Sequence, residues 1–310
     1  MNLTADIKTR LKKFFDSYRK KANFLRSLEK KHKMPDEIIL LACCYLDQLG
    51  NCLYSKAGSN KRSLEQLLFE HSGKRDEFNL ISVSNLAIDL FRFAEFAYIK
   101  IEKPGRIILF SNEEKTLMQF IDQTGISLTS KMVYRFLTSI YRSLKANFRI
   151  HPYQTSKKDS FGNMDEIVNA IITDSKIKKL APDLNENKNI LKNLLNEYTY
   201  ASILYKDYRC KAVHEVEGIS INLANFWRKK QPYFSPLRFM FCRNSFYTLE
   251  FPSFFLLEVL STCIDCVEKS IIGKGKLPIR IFDEICDIDE FDIADLETME
   301  EEKPIKLRIE

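Results

Sequence analysis

Residues 38–46 read IILLACCYL, a run that is apolar on nearly every side. A helix that is apolar all round has no face suited to water, so the run predicts a helix buried in the core of a helical fold. Gly50, a residue type common just after helix ends, predicts the end of this helix. A second apolar run, at roughly residues 252–272, predicts another core helix whose end is marked by Gly273 and Gly275. Together these two runs predict a mostly α fold.

The composition of the chain agrees with a globular helical protein. Of its 310 residues, 45% are hydrophobic and 29% are charged, which is enough to build a sizeable core. Glycine and proline number only nine each, and an all-β protein would need more turn residues. No apolar run approaches ~18 residues, and the N-terminus lacks the apolar segment of a secretory signal, so we expect no membrane association. Eight cysteines in such a chain indicate reduced thiols and predict a cytoplasmic location.

Residues 1–34 predict a basic amphipathic helix. Apolar residues recur there at steps of three or four, while most lysines and arginines fall off that stripe. A helix of this kind can bind RNA or a membrane surface, or it can simply pack against the core with its basic face in water. The stripe consists of Ile7, Leu11, Phe14, Tyr18, Ala22, Leu25 and Leu28.

Charge is distributed unevenly along the chain. Residues 281–310 carry twelve acids and three bases, and residues 1–280 carry 45 bases against 30 acids. The body therefore has a net charge of +15, which suits a polyanionic partner such as nucleic acid, although a solvated surface is the plainer interpretation. The acidic tail, residues 283–310, is expected either to lie along a basic cleft as an RNA mimic or to have no regulatory role.

Motifs for several common chemistries are missing from the sequence. It has no GxxxxGK[ST] phosphate loop, no GxGxxG, no HExxH and no GxSxG. Cys263 and Cys266 form a CxxC pair inside the last apolar helix, but no second pair follows at the spacing of a zinc site. We therefore interpret the cysteines as buried small hydrophobes and predict neither a metal nor a cofactor.

One segment, LYKDYRCKAVHE at residues 204–215, stands apart because it holds an arginine and a histidine five residues apart. Arg209 can grip a phosphate with two parallel hydrogen bonds, and His214 can move a proton near neutral pH. Metal-free RNA cleavage needs both abilities. On a straight α-helix, however, the two residues lie about 140° apart and ~7.5 Å apart along the axis. The helix must then end near Val213, or two chains must pool their motifs; alternatively the pair is a surface arginine and a capping histidine.

This segment resembles the Arg-x4–6-His motif of HEPN-domain proteins (higher eukaryotes and prokaryotes nucleotide-binding). The resemblance extends to ACCYLDQLGNCLY and FNLISVSNL upstream, and to FWRKKQPYF and LEFPSFFLLEVLSTCIDCVE downstream. It implies a HEPN-like helical bundle over residues 35–282, interrupted by a helical insertion at about residues 102–185.

The resemblance also implies a function. HEPN proteins typically dimerise, and many are metal-independent endoribonucleases of bacterial defence or toxin–antitoxin systems. By that resemblance, Arg209 and His214 are the catalytic pair, the substrate is single-stranded RNA, the product carries a 2′,3′-cyclic phosphate, and the partners are a second copy and an antitoxin or defence-complex protein. The residue after the arginine, often polar in active members, is Cys210 here. The alternative is a catalytically inactive HEPN-fold module that binds RNA or protein.

Several neighbouring side chains are candidates for RNA contacts, each with a plainer structural role open to it. The lysines can bind phosphates or be solvated, the tyrosine can stack on a base or pack in the core, and the basic segment after Trp227 resembles a single-strand binding loop. Glu215 can orient His214 or be an exposed acid. The RNA-binding candidates are Tyr205, Lys206, Lys211, Arg228, Lys229 and Lys230.

Overall fold

The computed structural model describes residues 4–32, 35–54, 59–102, 112–154, 159–215, 229–238 and 245–275, together with residues 277, 278, 280, 281 and 285. In this part of the chain the fold is mostly α, as the sequence predicts. The helices are α1 (Ala5–His32), α2 (Pro35–Leu53), α3 (Asn60–His71), α4 (Arg75–Phe78), α5 (Val83–Glu102), α6 (Asn112–Gln123), α7 (Ser130–Asn147), α8 (Met164–Ile172), α9 (Ser175–Leu180), α10 (Asp183–Glu186), α11 (Lys188–Asn196), α12 (Tyr200–Ile203), a π-helix (Leu204–Glu215) and α13 (Ser253–Lys274). Two short antiparallel sheets pair β1 (Ile81–Ser82) with β2 (Phe161–Gly162), and β3 (Tyr233–Arg238) with β4 (Ser245–Glu250).

The described residues form two hydrophobic cores. The first core is built from α1 to α4, α12, the π-helix, the end of β4 and α13. The second core contains the buried residues from Ile81 to Tyr198 and is built mainly from α5 to α11. This core begins earlier in the chain and ends later than the insertion that the sequence predicts at about residues 102–185.

Backbone pairing joins the two ends of the second core. The Ser82 N–H donates to the Tyr198 carbonyl at 2.9 Å, and the Tyr200 N–H donates to the Leu80 carbonyl at 2.9 Å. Ile81 also forms a bridge with Thr199. The chain therefore leaves the first core and returns to it at adjacent points, so residues 81–198 interrupt the first core without separating its two halves.

The amphipathic stripe of α1 is buried in the first core, which confirms the packing predicted for it. Leu11 and Leu25 are fully buried, while Lys12 and Lys13 are exposed. Arg19 crosses to α13 and forms ion pairs with Asp265, at 2.9 Å, and with Glu268. Helix α1 thus has an apolar face in the core and a basic face in water.

Helix α2 continues past Gly50, so the predicted helix end at this glycine is wrong. A Cβ at Gly50 would lie 2.9 Å from the Ser63 carbonyl oxygen of α3. Gly50 therefore lets the two helices approach closely because it has no side chain, and it does not form a left-handed turn. Gly275, in contrast, caps α13 in the left-handed conformation (φ 61°), as predicted for a helix end.

Two features of the second half were not predicted from the sequence. Pro232 and Pro236 predict a loop in this segment, but residues 233–238 and 245–250 form the β3–β4 hairpin, in which Pro236 pairs with Tyr247. Helical periodicity predicts one helix over residues 189–213, but this helix is interrupted at residues 197–199. There the Thr199 side chain accepts a hydrogen bond from the Ser202 N–H and caps a new helix. The second departure comes from pairing of residues 198–200 with the distant residues 80–82.

No helix among the described residues has the length and apolar character needed to cross a membrane. Of the acidic tail, the structure describes only Ile285, which is fully buried in the first core with its carbonyl accepting a hydrogen bond from Arg10 at 3.4 Å. The rest of the tail and Arg228 lie outside the described residues.

Candidate functional site around Arg209

The π-helix sets the geometry of the Arg-x4-His segment. Its hydrogen bonds join residues five apart, whereas those of an α-helix join residues four apart. Residues five apart therefore lie much closer to one face than on a straight α-helix, where they are about 140° apart, and Arg209 and His214 have this spacing. With this register, the helix need not end near Val213 to bring the two residues toward one side. A second chain is not needed for that purpose either. π-helical turns are rare in proteins, and those that occur often lie at functional sites.

Side chains of this helix are described as far as Arg209. Its guanidinium reaches across to α2, where Nε donates a hydrogen bond to Oδ2 of Asp47 at 3.0 Å and Nη2 forms an ion pair with the same oxygen at 2.9 Å. The guanidinium carbon also lies 5.6 Å from the centroid of the Tyr205 ring, within the range of a cation–π contact. Arg209 is 16% exposed and Asp47 is 8% exposed, so the pair is largely removed from water. The side chains of Cys210, Lys211, His214 and Glu215 lie outside the described part.

Asp47 is an acid in a poorly solvated place. Its Oδ1 is buried with no hydrogen-bond partner among the described residues. Burial raises the pKa of this carboxyl, and the charge and hydrogen bond of Arg209 oppose that rise. The pKa of the neighbouring Cys44 thiol is likewise raised by burial, again against the effect of Arg209. Any charge that enters this region meets weak screening by water, so its interaction with Arg209 is stronger than at an open surface.

A pocket of about 350 Å³ opens beside this pair. One side is the polar edge of α2, and the other side is formed by Arg209 and by Arg280, which follows α13. Two arginines facing one pocket favour an anionic ligand, and the volume lies in the range of small-ligand clefts, about 300–1,000 Å³. The lining from α2 consists of Cys44, Asp47, Gln48, Asn51 and Cys52.

Sequence reasoning missed Asp47, Gln48, Asn51 and Arg280 as members of the site. The signal that was available is the polar set at the end of an otherwise buried helix, since an acid is rarely buried without a partner. The partner itself, Arg209, lies 162 residues further along the chain, and no local pattern connects the two.

Lys206 contacts residues that do not line the Arg209 pocket. Its ammonium lies 2.5 Å from a carboxylate oxygen of Glu197, which also binds Lys61 at 2.6 Å. The described lining of the Arg209 pocket does not include Lys206. Tyr205 is partly buried against the first core, and Arg209 lies over its ring. As RNA contacts these two residues stay predictions, and in this structure each already contacts other protein groups.

Lys229 and Lys230 are exposed just before β3. The Lys229 ammonium lies 4.5 Å from the centroid of the Tyr233 ring. Phe234, the next aromatic residue of this segment, stacks on Phe161 at 6.1 Å with an interplanar angle of 10° and so has a protein partner. The described lining of the Arg209 pocket contains no residue of this segment, which therefore forms a separate basic site.

Comparisons with family models, with curated proteins and with solved structures found nothing that matches this chain. The resemblance to HEPN proteins rests on the quoted residues and stays a prediction. Among the described residues, no group of three or more His, Cys, Asp or Glu side chains is arranged to hold a metal ion.

Proposed function

We propose that this protein is a metal-independent endoribonuclease that cuts single-stranded RNA with Arg209 and His214. The observation that supports the proposal is the π-helical register, because it brings backbone positions 209 and 214 closer to one face of the helix than an α-helix would. That face includes Arg209 at the edge of a pocket with a second arginine, Arg280. The Arg-x4-His resemblance and the +15 charge of residues 1–280 add independent support.

The reaction assigns a role to each residue. The ribose 2′-OH gives up a proton and its oxygen attacks phosphorus, the P–O5′ bond breaks, and the 5′-oxygen takes up a proton. His214 would carry these protons, and Arg209 would stabilise the negative charge on the phosphoryl oxygens. One histidine cannot accept and donate in the same instant, so a second copy of the chain would supply the other histidine in a dimer. The products are a 2′,3′-cyclic phosphate and a 5′-OH.

Substrate binding would compete with Asp47 for Arg209. Only one oxygen of Asp47 contacts the guanidinium, through Nε and Nη2. A phosphate in the pocket would meet Arg209 together with Arg280, which lines the same pocket. Asp47 thus holds Arg209 in position before substrate binds, and it also neutralises part of the positive charge of Arg209.

The test is incubation of the purified chain with a fluorescent single-stranded RNA in excess chelator, beside the variant His214→Ala. We expect the wild type to cut and the variant to lose at least ~100-fold in rate, the usual contribution of a positioned acid–base group. Lys115→Ala serves as the control, because Lys115 is exposed on α6 and does not line the Arg209 pocket. Cleavage that requires magnesium, or that survives His214→Ala, contradicts the proposal.

A catalytically inactive module is the second candidate, and the Asp47–Arg209 pair favours it. A guanidinium that is already neutralised in a largely buried ion pair is less available to a phosphate. In this case the chain binds RNA or a protein without cutting, and RNA binding is unchanged by His214→Ala. The cleavage assay separates the two candidates.

The biological setting belongs to the proposal as well. By the HEPN resemblance we expect a cytoplasmic homodimer of a bacterial defence or toxin–antitoxin system, with an antitoxin or defence protein as a further partner. Induced expression in bacteria should then arrest growth for the wild type and not for His214→Ala. Equal growth of both strains, with equal amounts of protein, contradicts this setting.

A further inference from the structure

We propose that the exposed face of α7 is a binding surface for single-stranded nucleic acid, separate from the Arg209 pocket. This surface, the α7 strip, consists of Lys131, Tyr134, Arg135, Arg142 and Lys145, all of which are exposed. For RNA as the ligand, the inference rests on the proposed function. The contact with the phosphate backbone stands independently of catalysis.

The strip follows from the helical geometry of α7. At ~100° per residue, its five members fall within an arc of about 100° on one side of the helix. The opposite side is packed into the second core, where Val133, Phe136 and Ile140 are fully buried. From Lys131 to Lys145 the strip is ~21 Å long at ~1.5 Å per residue.

Its charge is of one sign. The sequence of α7, SKMVYRFLTSIYRSLKAN, contains no acid. Among the described residues, none of the four cations of the strip has an ion-pair partner within 4.0 Å. The cations therefore repel one another in the free protein, and a line of phosphates would relieve that repulsion and release bound counterions.

The charge continues from α7 onto α9. Arg142 lines a shallow pocket of about 250 Å³ between the two helices, and Lys176 lines the same pocket. Asp174 also lies there, but its Oδ1 accepts hydrogen bonds from the Lys176 and Ile177 N–H groups at 2.8 and 3.2 Å. The Asp174 carboxylate is thus held by the start of α9, and Arg142 and Lys176 supply two positive charges to the same pocket.

Single-stranded nucleic acid fits this surface better than a membrane or an acidic protein. Tyr134 is 46% exposed between Lys131 and Arg135, so an aromatic face lies beside the line of cations, the arrangement on which unpaired bases stack. A membrane-bound helix would present its apolar face to lipid, and that face of α7 is buried in the protein. At ~3.4 Å per phosphate of a stacked strand, the strip spans about six phosphates.

The experiment measures binding of a labelled 20-nucleotide single-stranded DNA, and of RNA of the same sequence, to the full-length protein by fluorescence anisotropy between 50 and 200 mM salt. The DNA has no 2′-OH and cannot be cut by the proposed reaction, so binding is measured apart from catalysis. The test variant is Lys131→Gln/Arg135→Gln/Arg142→Gln. The matched control is Lys115→Gln/Lys188→Gln/Lys269→Gln, which removes the same charge from three exposed residues on α6, α11 and α13.

We expect the test variant to bind both strands at least tenfold more weakly at 100 mM salt, and its plot of log affinity against log salt to be shallower by about 2, since each lost phosphate contact removes ~0.7. The control should stay close to the wild type. Tyr134→Ala should lower affinity about tenfold with an unchanged salt slope, because stacking releases no counterions. Circular dichroism should show that all variants are folded.

Several results would overturn the inference. These are equal weakening by the test and control variants, an unchanged salt slope in the test variant, or wild-type protein that binds neither strand. A test variant that loses binding only to a synthetic peptide of residues 283–302 would show that the strip holds an acidic protein segment instead. Loss of RNA cleavage in the His214→Ala variant with unchanged strand binding would leave the inference standing, so the two proposals fail separately.

Discussion

At the scale of single residues, the Asp47–Arg209 pair decides how variants of the site behave. Asp47 is nearly buried, and one of its oxygens already lacks a hydrogen-bond partner among the described residues. Removing Arg209 would leave a carboxylate that is buried and unpaired, a change that is more costly than removing both partners.

We therefore expect Arg209→Ala to lower the free energy of unfolding by about 3 kcal/mol at pH 7. Arg209→Ala/Asp47→Asn should recover most of that loss. The deficit of the single variant should shrink as pH falls, because burial already raises the pKa of Asp47 and protonation removes the unpaired charge. Urea unfolding of both variants at pH 7 and pH 5 measures this. A double variant less stable than Arg209→Ala would contradict it. The double variant is also the proper background for testing Arg209 in catalysis.

His151 joins the second core to the β3–β4 hairpin. Its Nδ1 lies 2.7 Å from the Ser245 carbonyl and must donate to it, while Nε2 lies 2.6 Å from the Tyr141 hydroxyl. Nε2 therefore accepts from Tyr141 when the ring is neutral. Burial lowers the pKa of His151, the nearby Lys145 lowers it further, and the hydrogen bond to Ser245 opposes this.

The lowered pKa predicts a pH-dependent stability. Below pH ~6.5 the unfolded chain binds a proton at this histidine that the folded protein resists, so the free energy of unfolding falls as pH drops from 7 to 5. His151→Asn should show a smaller fall than the wild type over this interval. His71, whose pKa is also lowered by burial, contributes to the wild-type slope and is kept in both proteins. Urea titrations at several pH values provide the comparison, and identical slopes would refute the assignment.

At the scale of elements, α2 and α3 are in contact through a glycine. A side chain at Gly50 would meet the Ser63 carbonyl at 2.9 Å, whereas nothing lies within 4 Å of a Cβ at Gly273 in α13. The two glycines thus form a matched pair of helical positions, one crowded and one open.

We expect Gly50→Ala to lower the free energy of unfolding by about 1–3 kcal/mol, because the two helices must move apart. Gly273→Ala should leave it unchanged or raise it by up to about 1 kcal/mol, the gain in helix propensity of alanine over glycine. Chemical denaturation of both variants tests this. If Gly50→Ala is as stable as Gly273→Ala, the close approach of α2 and α3 is not real.

The sequence predicts these elements unevenly, for physical reasons. Hydrophobic periodicity is enough to predict α1, α2 and α13, because their apolar faces are long and regular. It is not enough to predict the β3–β4 hairpin, whose strands are joined by hydrogen bonds that no local pattern encodes. The π-helical register of residues 204–215 is also hidden, since it shifts the hydrogen bonds without changing which residue types occur. Asp47 was missed because its partner comes from the other end of the chain.

At the scale of the whole molecule, the acidic tail follows Arg280, a residue of the candidate site, in the sequence. Arg280 lines the Arg209 pocket, and Ile285, five residues later, is fully buried against α1 through the first core. The acidic residues after Ile285 therefore follow an anchored residue in the sequence, and an internal RNA mimic would require them to reach the pocket.

Removal of residues 286–310 should raise RNA affinity or cleavage rate at low salt. The gain should shrink as salt rises, because exposed charges are screened over ~10 Å at 0.1 M. Truncation after Ile285 keeps this buried residue in the first core. Binding and cleavage assays at 50 and 300 mM salt, with thermal unfolding to check the fold, make the comparison. A truncated protein that is folded and behaves as the full chain does would exclude an inhibitory tail.

The central claim is that Arg209 and His214 cut RNA through the ribose 2′-OH, and the ends of the product test it most directly. Mass spectrometry of RNA incubated with the wild-type protein in chelator should find a 2′,3′-cyclic phosphate on one fragment and a 5′-OH on the other. His214→Ala should yield neither fragment. Fragments with a 5′-phosphate and a 3′-OH, or intact RNA under conditions in which the folded protein binds it, would contradict the claim.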